Sequence, residues 1–230
     1  MLHKVVCALD TGDLDKAEAT VRRLSGKVGA FKVGHALTLG HGLDVVDRLQ
    51  DAGASRIFLD LKFHDIPNSV ALAVREAARR RVWMMTVHLT GGTAMLQAAM
   101  AEACSGPVGE CPMVVGVGVL TSLDETMLRN ELGVPRTVEE QIVALAGLAE
   151  RCELDGMVCS PHEVAAVRRV LGHERAIVVP GIRIGGAAHD QKRTGDPHSA
   201  VAAGASYLVV GRALAEAPDP DEALAAFAGL

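Results

Sequence analysis

Residues Arg56–Ser69 read RIFLDLKFHDIPNS, and this stretch decides the fold. Arg56 to Lys62 is a short apolar run whose last charges fall at alternate positions, and Pro67 then opens a helix-like segment. Successive side chains of a strand point to opposite faces, so Leu59 and Leu61 share one face and Asp60 and Lys62 the other. If the leucines meet covering helices, the charged pair points into the mouth of a barrel. Asp65 follows in the turn before the helix. A mostly apolar strand handed directly to a helix is half of a βαβ unit, the building block of a parallel sheet buried on both faces.

Working outward, the same unit recurs. Runs rich in Val, Ile and other apolar residues occupy Val5–Asp10, Ala30–His35, Arg56–Lys62, Trp83–Leu89, Met113–Leu120, Gly156–Ser160, Ala176–Gly181 and Tyr207–Arg212. Between them lie segments with helical spacing of apolar residues, such as Ala17, Val21 and Leu24, then Val45, Val46 and Leu49, then Ile142, Leu145 and Leu148. Eight strand and helix pairs in 230 residues is the count that closes a (β/α)8 TIM barrel. An open doubly wound sheet, the lesser reading, usually stops at roughly five to seven strands. The expectation is an α/β barrel forming one domain over residues 1–230. Two connections are long, 121–136 and 182–197. The second carries Gly185, Gly186 and Gly195, which makes it a candidate lid on the C-terminal face, against the plainer reading of a surface insertion.

Composition narrows the function classes. The formal net charge is -5 with Lys and Arg dispersed, which gives no footprint for nucleic acid or an anionic membrane. No stretch approaches the roughly 20 apolar residues of a membrane span, and MLHKVVCALD is too short in apolar run for a signal-peptide core. The five cysteines include no C-x-x-C pair, so a reduced, cytoplasmic setting is expected.

Chemistry concentrates where the apolar runs end: Asp10, Lys32, Asp60, Lys62, His88, Thr121, Arg183 and Arg212 all lie at or just past such ends. Charge beside a buried strand is costly unless paired, so each could be a structural ion pair, but several on one rim point to a site. A lysine between two carboxylates is expected to stay protonated, which suits Lys62 to act as a general acid. Gly181-Ile182-Arg183 and Gly211-Arg212 end the seventh and eighth runs, where barrels commonly bind phosphate. These residues together imply a small phosphorylated substrate with its reacting part near Lys62.

With these residues in view, the chain resembles the bacterial-type orotidine 5'-monophosphate decarboxylases over nearly its whole length. The resemblance is carried by ALD (Ala8–Asp10), FKVG (Phe31–Gly34), DLKFHDIPNS (Asp60–Ser69), VHLTGG (Val87–Gly92), VLTS (Val119–Ser122), PGIR (Pro180–Arg183), DQKR (Asp190–Arg193) and VVGR (Val209–Arg212). It implies decarboxylation of orotidine 5'-monophosphate to UMP and CO2 without metal or cofactor, with Lys62 as proton donor and Asp60 beside it. It further implies that Asp10 and Lys32 hold ribose hydroxyls, that Thr121 and Ser122 contact the pyrimidine, and that Gln191 links base and phosphate. Arg183, Gly211 and Arg212 are implied at the phosphate. The motif residues Leu61, Phe63, His64, Ile66, Pro67, Asn68 and Ser69 are carried into the substrate-binding stretch with it. Asp65 is implied to enter the site of a partner subunit in a homodimer. The family often has Pro and Gly where this chain has Ile184 and His189, and Ala-Ser where it has Leu89 and Thr90.

Two other readings compete. Related sugar-phosphate barrels use a metal, for which His35, His64 and His88 would be candidate ligands, although no carboxylate spacing completes a site. A catalytically silent phosphate-binding barrel would not need all three charges of Asp60, Lys62 and Asp65.

Overall fold

The computed structural model describes residues 2–107, 109, 111–183 and 195–230. Eight parallel strands close into a barrel in chain order, each paired with its sequence neighbours and the last with the first. They are β1 (Leu2–Leu9), β2 (Val28–Val33), β3 (Ile57–Phe63), β4 (Met84–His88), β5 (Met113–Val117), β6 (Gly156–Val158), β7 (Ala176–Val179) and β8 (Tyr207–Val210). The helices of the first half are α1 (Leu14–Leu24), α2 (His35–His41), α3 (Asp44–Asp51), α4 (Pro67–Arg79) and α5 (Gly92–Ala103). Those of the second half are α6 (Glu125–Asn130), α7 (Val138–Arg151), α8 (Val164–Leu171), α9 (Pro197–Ala202), α10 (Arg212–Ala215) and α11 (Pro220–Ala225). Among the described residues no helix is long and apolar enough to cross a membrane.

Strand alternation divides the core into two layers. Val6, Ala8, Phe58, Met84, Val115, Val178 and Val209 fill the barrel interior, while Val5, Cys7, Leu59, Met85, Val114, Ile177 and Leu208 face the helices. The interior is plugged at its N-terminal end by Trp83, edge-on to Tyr207 with ring centroids 4.9 Å apart and with the Arg56 guanidinium 5.3 Å above the indole. A packed floor of this kind closes the barrel axis from below and leaves its C-terminal mouth open.

The predicted strands overrun the observed ones at their C-terminal ends, by one to three residues in seven of eight cases. The paired ladder stops there, although the chain stays rich in apolar and site residues. The long connection after β5 is not structureless, because it contains α6, capped by Asp124 accepting from the Met127 N–H. Helix α7 starts on a capping box, in which the Thr137 hydroxyl accepts from Glu140 N–H at 3.2 Å and the Glu140 carboxylate accepts from Thr137 N–H at 2.8 Å.

Cys104 and Cys111 form a disulfide across the turn from α5 into β5. The expectation of a reduced setting fits Cys7, Cys152 and Cys159, which are buried and outside any disulfide, but not this pair. Their spacing matches no pairing motif; the tight return of the chain into β5 brings their Cα atoms within 4.5 Å. Burial, with Asp10 adding to it, pushes the Cys7 thiol up to about 12, so it is no nucleophile near neutral pH.

Candidate active site

The mouth of the barrel holds a cavity of about 1040 Å³. Its walls carry Asp10 after β1, Lys32 on β2, Asp60 and Lys62 on β3, Thr121 after β5, Arg183 after β7, and Gly211 and Arg212 after β8. The rest of the wall is largely apolar, with Phe58, Val117, Val158 and Val178 below and Leu120, Pro180 and Ile182 nearer the rim. A cleft that joins apolar walls to convergent polar groups is the ordinary form of a small-molecule site.

Four of those charges make one alternating chain across three adjacent strands. Lys32 Nζ lies 2.9 Å from Asp10 Oδ1 and 3.5 Å from Asp60 Oδ2, while Asp60 Oδ1 lies 2.9 Å from Lys62 Nζ. Lys32 and Asp60 are nearly buried, at 12% and 14% side-chain exposure, and Lys62 is the more open at 32%. Burial alone would pull the Lys32 pKa down, but Asp60 and Asp10 outweigh it and raise the ammonium above its ordinary value. Burial likewise pushes the Asp60 carboxyl up, yet the Lys32 and Lys62 charges, with hydrogen bonds from Lys62 and Thr86, bring it below the usual carboxylate value. The array therefore places an ionised carboxylate and a nearby lysine at the floor of the pocket.

Alternation puts Asp60 and Lys62 on the cavity side and Leu61 and Phe63 against the outer layer, as the spacing predicts. The backbone is less regular than that spacing implies. Lys62 has φ of 51°, a left-handed conformation that costs a non-glycine residue about 1–2 kcal/mol. Such conformations persist where surrounding structure holds them and concentrate at functional sites. Gly181, with φ of 78°, occupies the same region without that penalty and turns the chain from β7 to Arg183.

The structure does not bring every predicted residue together. His64, Asp65, Ile66, Pro67 and Asn68 are exposed, and Ser69 is half-buried, on the turn and first residues of α4 beyond the cavity wall. Within one chain Asp65 does not flank Lys62; its Oδ1 accepts from the next N–H, of Ile66, at 2.6 Å. Ser122 is exposed beside the cavity-lining Thr121. Gln191, Ile184, His189 and the DQKR motif lie outside the described residues. Leu89 is buried in the outer layer, and the Thr90 hydroxyl lies 2.7 Å from His88 Nδ1 and 3.4 Å from His64 Nε2, so neither departure reaches the cavity wall.

His64 and His88 stack with ring centroids 5.0 Å apart. Burial, together with His64 and Lys62, holds His88 below its ordinary pKa, and its Nδ1 accepts from the Thr90 N–H at 3.5 Å, as a neutral imidazole would. His35 begins α2. Among the described residues no three His, Cys, Asp or Glu side chains are grouped to hold a metal ion. The sequence reading missed Thr86, fully buried on β4, whose hydroxyl touches both Asp60 and the Lys62 backbone. A hydroxyl inside the apolar run MMTVH was the available signal.

Comparisons with known proteins agree on one family. The model of the family described as orotidine 5'-phosphate decarboxylase / HUMPS matches residues 3–227. The chain is 46% identical over 229 residues to the orotidine 5'-phosphate decarboxylase of Moorella thermoacetica, covering 98% of this chain and 90% of that protein. It is 50% identical over 222 residues to that of Syntrophotalea carbinolica, covering 94% and 90%. The crystal structure of orotidine 5'-phosphate decarboxylase from Lactobacillus acidophilus superposes with a TM-score of 0.85 at 34% identity, covering 96% of each chain.

Proposed function

The chain belongs to the orotidine 5'-phosphate decarboxylase / HUMPS family, and from that premise we infer that it converts orotidine 5'-monophosphate to UMP and CO2, the final step of pyrimidine nucleotide synthesis, with Lys62 as proton donor. The observation that carries this reading is the Lys62 ammonium 2.9 Å from the nearly buried Asp60 carboxylate in the cavity wall.

Loss of CO2 leaves an electron pair on pyrimidine C6 with no conjugated sink. Stabilisation must come from charge placed beside that carbon. Lys62 supplies it: the ammonium attracts the developing carbanion and then transfers a proton to C6, forming the new C–H bond. Asp60, held ionised by two lysines, repels the substrate carboxylate and loses that repulsion as CO2 departs. Asp10 and Lys32 offer an acceptor and a donor to ribose hydroxyls, and Thr121, with Ser122 beside it, offers hydroxyls to the pyrimidine edge. Arg183 and Arg212, with the Gly181 and Gly211 backbones, form the phosphate end across the mouth, and Gln191 is assigned to link base and phosphate. Phosphate binding far from C6 then contributes to the rate as well as to affinity.

Asp65 is assigned to the site of a second subunit in a homodimer. Two features support this: its carboxylate is engaged by the Ile66 N–H while its own Lys62 pairs with Asp60, and the adjacent Ile66 is 67% exposed. The test of the overall reading is loss of orotidylate absorbance with purified protein and excess EDTA. Steady turnover is expected. Activity abolished by EDTA and restored by Mg2+ or Zn2+ would move the chain to the metal-dependent sugar-phosphate barrels, and no turnover under any condition would leave a silent binding barrel.

A further inference from the structure

The β3–β4 ladder loses step at the reactive strand. Leu59 pairs with Met85, but the next pair is Phe63 with Val87, so a four-residue step on β3 faces a two-residue step on β4. Asp60, Leu61 and Lys62 lie opposite the single β4 residue Thr86, a surplus of two. The Lys62 N–H lies inside this irregular stretch. Here it donates to Thr86 Oγ1 at 2.8 Å.

The same hydroxyl is 3.1 Å from Asp60 Oδ1, the oxygen that accepts from Lys62 Nζ at 2.9 Å. A hydroxyl has one proton to give and lone pairs to receive. Since a backbone N–H can only donate, Thr86 accepts from Lys62 and directs its own proton to the Asp60 carboxylate. The result is a closed ring running from the Lys62 backbone through Thr86 and Asp60 to the Lys62 ammonium. Thr86 is fully buried, so water cannot replace it without a cavity opening. Its β-branch restricts χ1, which fixes where the hydroxyl sits, as serine's freer side chain does less firmly.

We propose that Thr86 is a positioning residue for the decarboxylation, its hydroxyl tying the left-handed backbone of Lys62 to Asp60 so that ammonium and carboxylate keep a fixed offset. The proposal deepens, and rests on, the reading of Lys62 as proton donor. Thr86 itself does not touch the substrate; it acts through Lys62, which faces C6, and Asp60, which faces the departing carboxylate.

Three variants separate this from a packing role. Thr86→Val keeps the shape and removes the hydroxyl, Thr86→Ala removes it without adding apolar bulk should the valine fail to fold, and Thr86→Ser keeps it. With orotidylate, kcat should fall roughly 10- to 100-fold in Thr86→Val and Thr86→Ala, the factor that accompanies loss of a hydrogen bond to a charged group. KM and UMP affinity should change little, and Thr86→Ser should recover most of the rate. Unchanged kcat without the hydroxyl, a loss confined to KM, or an equal loss in Thr86→Ser overturns the proposal. Crystal structures of Thr86→Ala and Thr86→Ser give an arm independent of turnover. Lys62 should leave the left-handed conformation, or its ammonium should part from Asp60, in the alanine variant only; unchanged geometry there refutes the tie. If wild-type protein fails to turn over orotidylate while Lys62 still shifts in Thr86→Ala, the decarboxylase reading falls and the tie stands.

Discussion

At Asp60 one carboxylate answers two lysines, and the balance of burial against charge determines what the residue does. Burial is the largest single influence and opposes ionisation, but the two ammonium groups and the hydrogen bonds from Lys62 and Thr86 leave the pKa below its ordinary value of 3.8. A carboxyl whose folded pKa lies below its unfolded one stabilises the fold above the unfolded value, and that stabilisation is lost as pH falls through the folded pKa. The stability gap between wild type and Asp60→Asn should therefore be large at pH 7 and shrink below about pH 3.8. Urea denaturation at pH 7 and pH 3 measures it, and a gap independent of pH would show that folding does not lower the Asp60 pKa. At the other end of the cavity, Arg212→Ala should weaken UMP binding far more than uridine binding, because a guanidinium directed at phosphate offers a nucleoside little. Equal losses by calorimetry would remove Arg212 from the phosphate. Asp10, Lys32, Asp60 and Lys62 were legible in the sequence because charge at the ends of buried strands stands out. Thr86 was not, because a hydroxyl in an apolar strand is common and its importance depends on a bulge in the neighbouring strand.

At the scale of the element, β3 explains why that bulge was hidden. One surplus residue would have moved every later side chain to the opposite face, and the hydrophobic pattern would have betrayed it. A surplus of two keeps the phase, so Leu59, Leu61 and Phe63 all face the helices and the period-two reading holds through an irregular ladder. The eight strands and their order were legible for a similar reason, since strands buried on both faces read as apolar runs. Their C-terminal limits were not, because pairing stops before the composition changes. Helix α7 gives a prediction at this scale that leaves the site alone. Thr137→Ala removes one half of the capping box and should lower stability by about 0.5–2 kcal/mol in chemical denaturation, with orotidylate turnover unchanged. A comparable loss of turnover would mean that the covering helix is coupled to the mouth of the barrel.

For the whole molecule, the floor plugged by Trp83 and Tyr207 and the open mouth put the convergent charges on the C-terminal face. Asp65 lies on that face but outside its own cavity, and the homodimer assignment gives it a second cavity to complete. Mixing inactive Lys62→Ala and Asp65→Ala chains under exchange conditions tests this. Unbiased pairing makes about half the dimers mixed, each with one intact site, so about a quarter of all sites should recover. Demonstrated exchange without recovered activity would return Asp65 to its own chain and leave the decarboxylation itself untouched.

The measurement closest to the central claim is a paired one on Lys62→Ala: single-turnover decarboxylation of orotidylate alongside the dissociation constant for UMP. Decarboxylation should fall by at least several kcal/mol of transition-state stabilisation, roughly a thousandfold or more, while UMP binding stays within about an order of magnitude of wild type. A variant that binds UMP normally and still decarboxylates at the wild-type rate would contradict the account, since no charge at C6 would then depend on Lys62.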